Sequence, residues 1–411
     1  MLEMRKMKDS GIEWIGEIPA GWEIKYFVQL FSQVKNKNIG LREKNLLSLS
    51  YGKIKQKSIE TVGGLLPDSF EGYNIIDRND IVLRLTDLQN DQHSLRVGLS
   101  HERGIITSAY CSIRVRGAES PNYLYYYLHT FDIAKGFYGM GSGVRQGLNW
   151  DGLKYIKILL PPQHEQDRIS VFLNQKTLEI DSMLSKTISS IEEYKKLKQA
   201  VITQAVATQQ CSHIKLKYLM NVIVDCPHET PTYSFTGNYY VIRTADQALA
   251  SLRRDEDMYR LDASEYKKRT RRLTLDKDDI VYGREGERWG LACIVPKSNK
   301  YCLGQRIMQF RCNTKFLYPK YAMYALNSEP VYLQGVADTI GSTSPHVNIS
   351  TICNYLLPVP ALTEQKEIAN YLDAKCAEID GLIAKKEQLV KELESYKKSL
   401  IYEVVTGKRE V

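Results

Sequence analysis

The stretch YGMGSGVRQG, residues 138–147, sets three glycines at alternate positions, a spacing that could cradle a phosphate. A dinucleotide site needs more: a strand before the glycines, a helix opening within them and an acid about twenty residues on. Here the glycines follow a helical pattern, and the spacing predicts a turn. His-Glu pairs stand at 101–102, 164–165 and 228–229. A zinc protease places a second histidine four residues after the first, but positions 105, 168 and 232 hold Ile, Arg and Thr. Cys226 and His228 lie close together in DCPHET, where a buried thiol beside a loop histidine is the expected arrangement. The sequence has no CxxC pair, no GxxxxGK[ST] phosphate loop and no Asn/Asp-Pro-Pro-aromatic tetrad of the amino-methyltransferase kind. Known catalytic signatures therefore fail one after another.

What remains is a set of side chains able to donate and accept hydrogen bonds in pairs. LRLTDLQNDQHSLR, residues 83–96, packs Arg84, Thr86, Asp87, Gln89, Asn90 and Arg96 behind an apolar run. YGREGERWG, residues 282–290, presents Arg284, Glu285 and Arg288 among glycines after a similar run. A polar turn following a strand explains any one of these residues, though less readily the density of the whole set. Cations gather at Lys267, Lys268, Arg269, Arg271 and Arg272, as on a solvated helix or a polyanion contact. Two glycine loops add Arg145 and Gln146 in one, Ser344 and His346 in the other.

The elements that must position these residues come from a duplication. PQHEQDRISVFLNQKTLEID, residues 162–181, returns as ALTEQKEIANYLDAKCAEID, residues 361–380, at an offset of 199 residues. The register holds to Val206 and Val405 without a gap. It also reaches upstream, from RNDIV at 78–82 to KDDIV at 277–281, and, within one residue of that offset, from PNYLYYYL at 121–128 to PKYAMYAL at 319–326. The unit is a variable globular part followed by a long helix, present twice, and a repeat of this length suits an independently folding domain. Leu173 and Ile180, with Leu184 and Ile191, mark a seven-residue apolar stripe in the first helix. Leu372, Ile379 and Leu393, with Ile383 and Val390, mark it in the second. A sustained seven-residue repeat predicts helices that pair, each about 60 Å long. The expected fold class is α+β. Two globular domains with β-rich cores occupy 1–160 and 209–358, and spacer helices occupy 161–208 and 359–411.

Composition narrows the class further. The hydrophobic fraction of 43% and charged fraction of 25% are those of a globular chain. No apolar run is long enough to span a membrane, and scattered cysteines suggest reduced thiols in the cytoplasm. A net charge of +8 is compatible with a polyanionic partner but does not identify one.

The opening DSGIEWIGEIPAGWEIKYF, the segment LPPQHEQDRISVFL with its EID, and the closing PALTEQKEIANYLDAKCAEID with YKKSLIYEVVTGKREV together resemble the specificity subunit of type I restriction–modification systems. The resemblance implies two target-recognition domains, each reading one half of a bipartite double-stranded DNA target. It also implies that the helices pack antiparallel, set the unread gap, and dock two methyltransferase subunits. Restriction and translocase subunits would complete the larger complex. S-adenosylmethionine, ATP and Mg would be held by those partners and no cofactor by this chain, a non-catalytic reader. Arginine can pair with guanine bidentately and glutamate can accept from cytosine. Arg84, Thr86, Asp87, Gln89, Asn90, Arg96, Arg284, Glu285 and Arg288 are accordingly candidate base readers. The lysine and arginine cluster, Arg145, Gln146, Ser344 and His346 are candidate backbone contacts. Competing readings are a coiled-coil scaffold without a DNA role and a stand-alone DNA-modifying enzyme.

Overall fold

The computed structural model describes residues 5–58, 67, 69–88, 90–91, 94–140, 147–207, 211–339 and 345–411. Two compact units emerge, residues 1–186 with 389–411 and residues 187–388, so each unit takes part of both long helices.

In the first unit, strands β1 (Phe31–Gln33), β2 (Ile81–Leu83), β3 (Val97–Leu99) and β4 (Cys111–Val115) form an antiparallel sheet of order β1-β4-β2-β3. In the second, β5 (Met220–Asp225), β6 (Ile280–Gly283), β7 (Ala292–Ile294) and β8 (Ile307–Cys312) repeat that order as β5-β8-β6-β7. The apolar runs read as strands thus form strands in both copies. Ile81, Val82 and Leu83 are buried, as are Ile280, Val281 and Tyr282, which is why their runs are continuous rather than alternating.

The same clasp pins both sheets. Asp80 Oδ2 accepts from Asp77 N at 2.8 Å, and its two oxygens accept from Arg114 Nε and Nη2 at 2.6 and 2.7 Å. Asp279 accepts from Asp276 N and from Arg311 Nε and Nη2, each at 2.8 Å. Between the two acids of each clasp the chain turns through the left-handed region, at Asn79 (φ 72°) and Asp278 (φ 71°). Short polar side chains tolerate that conformation best after glycine.

Each sheet carries a helix. Helix α1 (Pro121–Ile133) opens on Ser120, whose hydroxyl accepts from Tyr123 N, with proline in the first turn. Helix α2 (Gln163–Val206) contains no glycine or proline over 44 residues, about 66 Å of rise. The second unit answers with α3 (Pro319–Leu326), and α4 (Leu362–Val405) matches α2 in length. A glutamine latches each long helix to the start of α1 or α3. Gln166 accepts from Ser120 N at 2.9 Å and donates to Pro161 O at 2.9 Å. Gln365 accepts from Tyr318 N at 2.8 Å and donates to Pro360 O and Phe316 O, both at 2.9 Å.

The helix pairing is antiparallel within each unit. In the first, Leu173 and Ile180 share one core with Leu400, Ile401, Val404 and Val405, and Leu184 and Leu393 pack against its edge. Lys397 Nζ meets Asp181 Oδ1 at 2.6 Å. In the second, Ile202 and Val206 share a core with Ala369, Leu372 and Cys376, and Lys198 Nζ meets Asp380 Oδ2 at 2.8 Å. The two ion pairs are copies, since Asp380 and Lys397 stand at the duplication offset from Asp181 and Lys198. Ile191 and Ile379 are buried, while Ile383 and Val390 remain half-exposed. Among the described residues the cysteines form no disulfide, and no helix is long and apolar enough to cross a membrane.

His129 sits in α1 with its side chain almost wholly buried. Burial pushes its imidazole down to about 4, and Lys397 and Lys398 act in the same direction. Because the folded value lies below the ordinary 6.5, the unfolded chain takes up this proton first. Its stabilising contribution is present above pH 6.5 and is lost as pH falls towards 4, by up to about 3 kcal/mol. Urea unfolding of wild type and His129→Asn at pH 7 and pH 4.5 checks this. The variant should lose visibly less stability on acidification.

Candidate nucleic-acid interface

The loop after β2 is built around one arginine. Arg96 is fully buried, and its guanidinium donates to Arg84 O (3.1 Å), Thr86 O (2.8 Å), Asp87 O (3.1 Å) and Asp91 O, with Nε on Tyr138 Oη at 3.1 Å. Its own backbone N–H donates to Asp132 at 2.7 Å. A side chain that closes so many carbonyls cannot also reach a base edge, so the expectation of Arg96 as a base reader is corrected. It shapes the loop that carries the others.

Of those, Arg84 is half-buried and pairs with Asp91 at 3.3 Å. Asp87 lies in the left-handed region at φ 59° and accepts from Asn90 Nδ2 at 2.9 Å. Thr86 and Asn90 are exposed. Gln89 lies outside the described residues, as do Arg145, Gln146 and Ser344.

The loop after β6 shows the same economy. Gly283 is required there, because a Cβ would fall 2.8 Å from the Arg288 carbonyl. Arg284 is buried, with Nη2 at 2.5 Å from Glu285 Oε1 and 3.5 Å from Asp225 Oδ2, and Nη1 at 3.4 Å from His346 Nε2. Its expected role in direct readout is corrected as well, since its charge is already met inside the fold. Glu285 is half-buried and joins the glycine loop through a bridge to His346, whose Nδ1 lies 3.3 Å from Glu285 Oε1. The two segments singled out separately in the sequence, YGREGERWG and SPHVN, thus meet. Arg288 is exposed and anchors one nitrogen on Ala245 O (2.9 Å) and Gln247 O (3.0 Å).

One surface cation escaped sequence reasoning. Arg306, at φ 67° and about half-exposed, lies 4.0 Å from Glu285 Oε2. It lies in the short turn between the strand Tyr301–Leu303 and β8, where a single arginine carries no local pattern.

The cationic segment divides cleanly. Lys267, Lys268, Arg271 and Arg272 are exposed, with Lys268 paired to Glu229 at 2.8 Å. Arg269 is buried, donating to Leu303 O from Nε and Nη2 and to Glu229 O from Nη1. It fastens the helix Ala263–Arg269 to the domain and is corrected as a backbone contact.

A metal could be held only by Asp225, Cys226 and His228 among the described residues, whose donor atoms lie within 4.8 Å of one another. Structural zinc takes four ligands. Here Asp225 already meets His228 at 3.1 Å and Arg284, and burial pushes the Cys226 thiol up. Asp225 belongs instead to an ion-pair network with Arg284.

Known proteins share parts of this sequence and its fold. Residues 226–392 match the family described as the type I restriction modification DNA specificity domain. The chain is 29% identical over 132 residues to the EcoBI specificity subunit of Escherichia coli, a match spanning 32% of this chain and only 27% of that subunit. It is 22% identical over 355 residues to the MjaVIII specificity subunit of Methanocaldococcus jannaschii, covering 81% and 80% of the two chains. In fold it follows a chain from a solved type I restriction–modification complex, with a TM-score of 0.69, 15% identity and 95% and 99% coverage. The crystal structure of the HsdS subunit from Thermoanaerobacter tengcongensis aligns with a TM-score of 0.50 and 15% identity over 95% and 98% of the chains. With its duplicated sheet-and-helix units and its polar loops, the chain is similar to the type I restriction–modification specificity subunits, and its residues 226–392 match their DNA specificity domain.

Proposed function

We propose that each globular part reads one half of a bipartite double-stranded DNA target. The paired helices would then set the unread gap and dock two methyltransferase subunits. The observation carrying this reading is the duplication itself: two copies of one scaffold, with the same sheet order, clasp and latch, bear unlike polar loops at the same place. One scaffold with two loop sets suits two different half-sites. Thr86, Asn90, Glu285, Arg288 and Arg306 are the side chains best placed to meet base edges. Lys267, Lys268, Arg271 and Arg272 would meet phosphates, which fix register without reading sequence.

The chain itself acts as a non-catalytic reader in this proposal. Methyl transfer from S-adenosylmethionine, and the ATP- and Mg-dependent work of restriction and translocation, belong to partner subunits in the cytoplasm. A target adenine must leave the stack for chemistry, and the partner performs that step.

Methylome sequencing of cells expressing the chain with a methyltransferase subunit encoded beside it is the direct test. N6-methyladenine at two short blocks around a fixed gap is expected, against none in cells lacking the chain. A soluble, assembled complex without new methylation would sink the proposal in favour of a scaffold, and activity of the purified chain alone would favour an enzyme.

Residue roles separate by salt dependence. In the assembled complex, Lys267→Ala, Arg271→Ala and Arg272→Ala should each weaken DNA binding for all sequences and lower the slope of log affinity against log salt by about 1. Asn90→Ala or Arg288→Ala should relax one position of one half-site and leave the other half unchanged. Arg96→Met should behave differently from both groups. It strands several carbonyls, so unfolding measurements should show a loss of about 3 kcal/mol.

A further inference from the structure

The first unit contains a cleft of about 830 Å³ walled by its globular part and its share of α2 and α4. This is the size of small-molecule sites, which combine apolar walls with a few placed polar groups. Leu95, Leu99, Ile133 and Ile401 supply apolar lining, and Asn122, Asn174 and Thr177 supply polar groups. His129 also lines it.

The duplication shows what a closed version of this region looks like. Asn327, just after α3, stands where His129 stands in α1. Its Nδ2 donates to Ala292 O at 2.8 Å and its Oδ1 accepts from Ala292 N at 3.1 Å, which seals the helix onto β7. His129 makes no such seal. Only 8% of the residue is exposed, and its Nδ1 is buried without a hydrogen-bond partner. A buried polar atom left unmet is costly, and the adjoining cleft is where a partner could come from.

Charge and aromatic surface indicate what that partner is. Lys53 and Lys397 share Asp181, at 2.9 and 2.6 Å. Arg78 and Lys398, also on the lining, have no ion pair among the described residues, and Glu394 is the one other carboxylate there. Tyr51 stands 78% exposed at the cleft, and Tyr125 stacks on His129 with centroids 5.8 Å apart and planes 30° apart. Unpaired guanidinium and ammonium groups hold phosphate. Aromatic faces take planar heterocycles, and an imidazole nitrogen can bond a heterocycle edge.

We propose that this cleft binds a nucleotide, its base against Tyr51 and the Tyr125–His129 stack and its phosphate on Arg78 and Lys398. The same chemistry is offered by a free nucleotide and by one nucleotide of a single strand. The proposal stands independently of the half-site reading, because none of the side chains assigned to base edges or phosphates lines the cleft.

The test is titration of the purified full chain with N-methylanthraniloyl AMP and ATP, and separately with a fluorescein-labelled single-stranded hexanucleotide, by fluorescence anisotropy. Saturable binding that unlabelled AMP or hexanucleotide competes away is expected. Competition by AMP alone identifies a free nucleotide as the ligand, and competition by the hexanucleotide alone identifies a strand. Arg78→Ala and Lys398→Ala should each weaken binding about 10-fold, the usual effect of losing a charge-assisted hydrogen bond. His129→Asn, which installs the residue of the sealed copy, should abolish binding while the thermal unfolding midpoint stays at or above the wild-type value. No saturation by any probe at millimolar concentration would overturn the proposal. So would binding that unlabelled competitor does not displace, or an affinity equal in all three variants.

Discussion

A buried primary amide at the start of each long helix holds the rest of the structure in place. Gln166 and Gln365 are nearly inaccessible to water, so each must find its donors and acceptors inside the fold. They find them in the chain entering the long helix and at the N-cap residues of α1 and α3. That exchange fixes where a 44-residue helix departs from its domain. Tyrosines extend the same joint, with Tyr123 Oη donating to Leu159 O and Tyr321 Oη to Pro358 O. The direction of the helix then decides which half of its stripe its own domain covers.

Arginine does two different jobs in this protein, and burial tells them apart. Arg96, Arg269 and Arg284 sit inside, where their planar forks gather carbonyls or carboxylates from separate loops. An arginine can hold a loop this way because five donors leave in one plane and stay charged at any physiological pH. Arg271, Arg272, Arg288 and Arg306 lie outside and keep donors in reserve. The interior set makes the loop shapes reproducible, and the exterior set is presented by them.

Much of this architecture was legible in the sequence, because duplication reports on structure twice. The offset of 199 exposed the long helices and the strands around RNDIV and KDDIV, and a one-residue departure from it still matched the proline-opened helices α1 and α3. The α+β class and the antiparallel pairing agree with the structure. The site was read less well. Residue type cannot separate an arginine that reads from one that folds, and Arg96 and Arg284 stand among residues of the same polarity. Their burial is set by carbonyls up to twelve residues away and by a carboxylate on β5. The meeting of Glu285 with His346 was invisible for a similar reason, since a bridge between loops sixty residues apart leaves no local pattern.

The clasp, the latch and the interhelical ion pair are all internal to each unit, and none of them uses an exposed loop residue. Substitution at Thr86, Asn90, Arg288 or Arg306 therefore leaves the clasp, the latch and the interhelical ion pair intact. In evolutionary terms, mutational drift in the loops is nearly uncoupled from selection on folding. New surface chemistry can accumulate there at the pace of point mutation while the framework beneath stays the same in both copies.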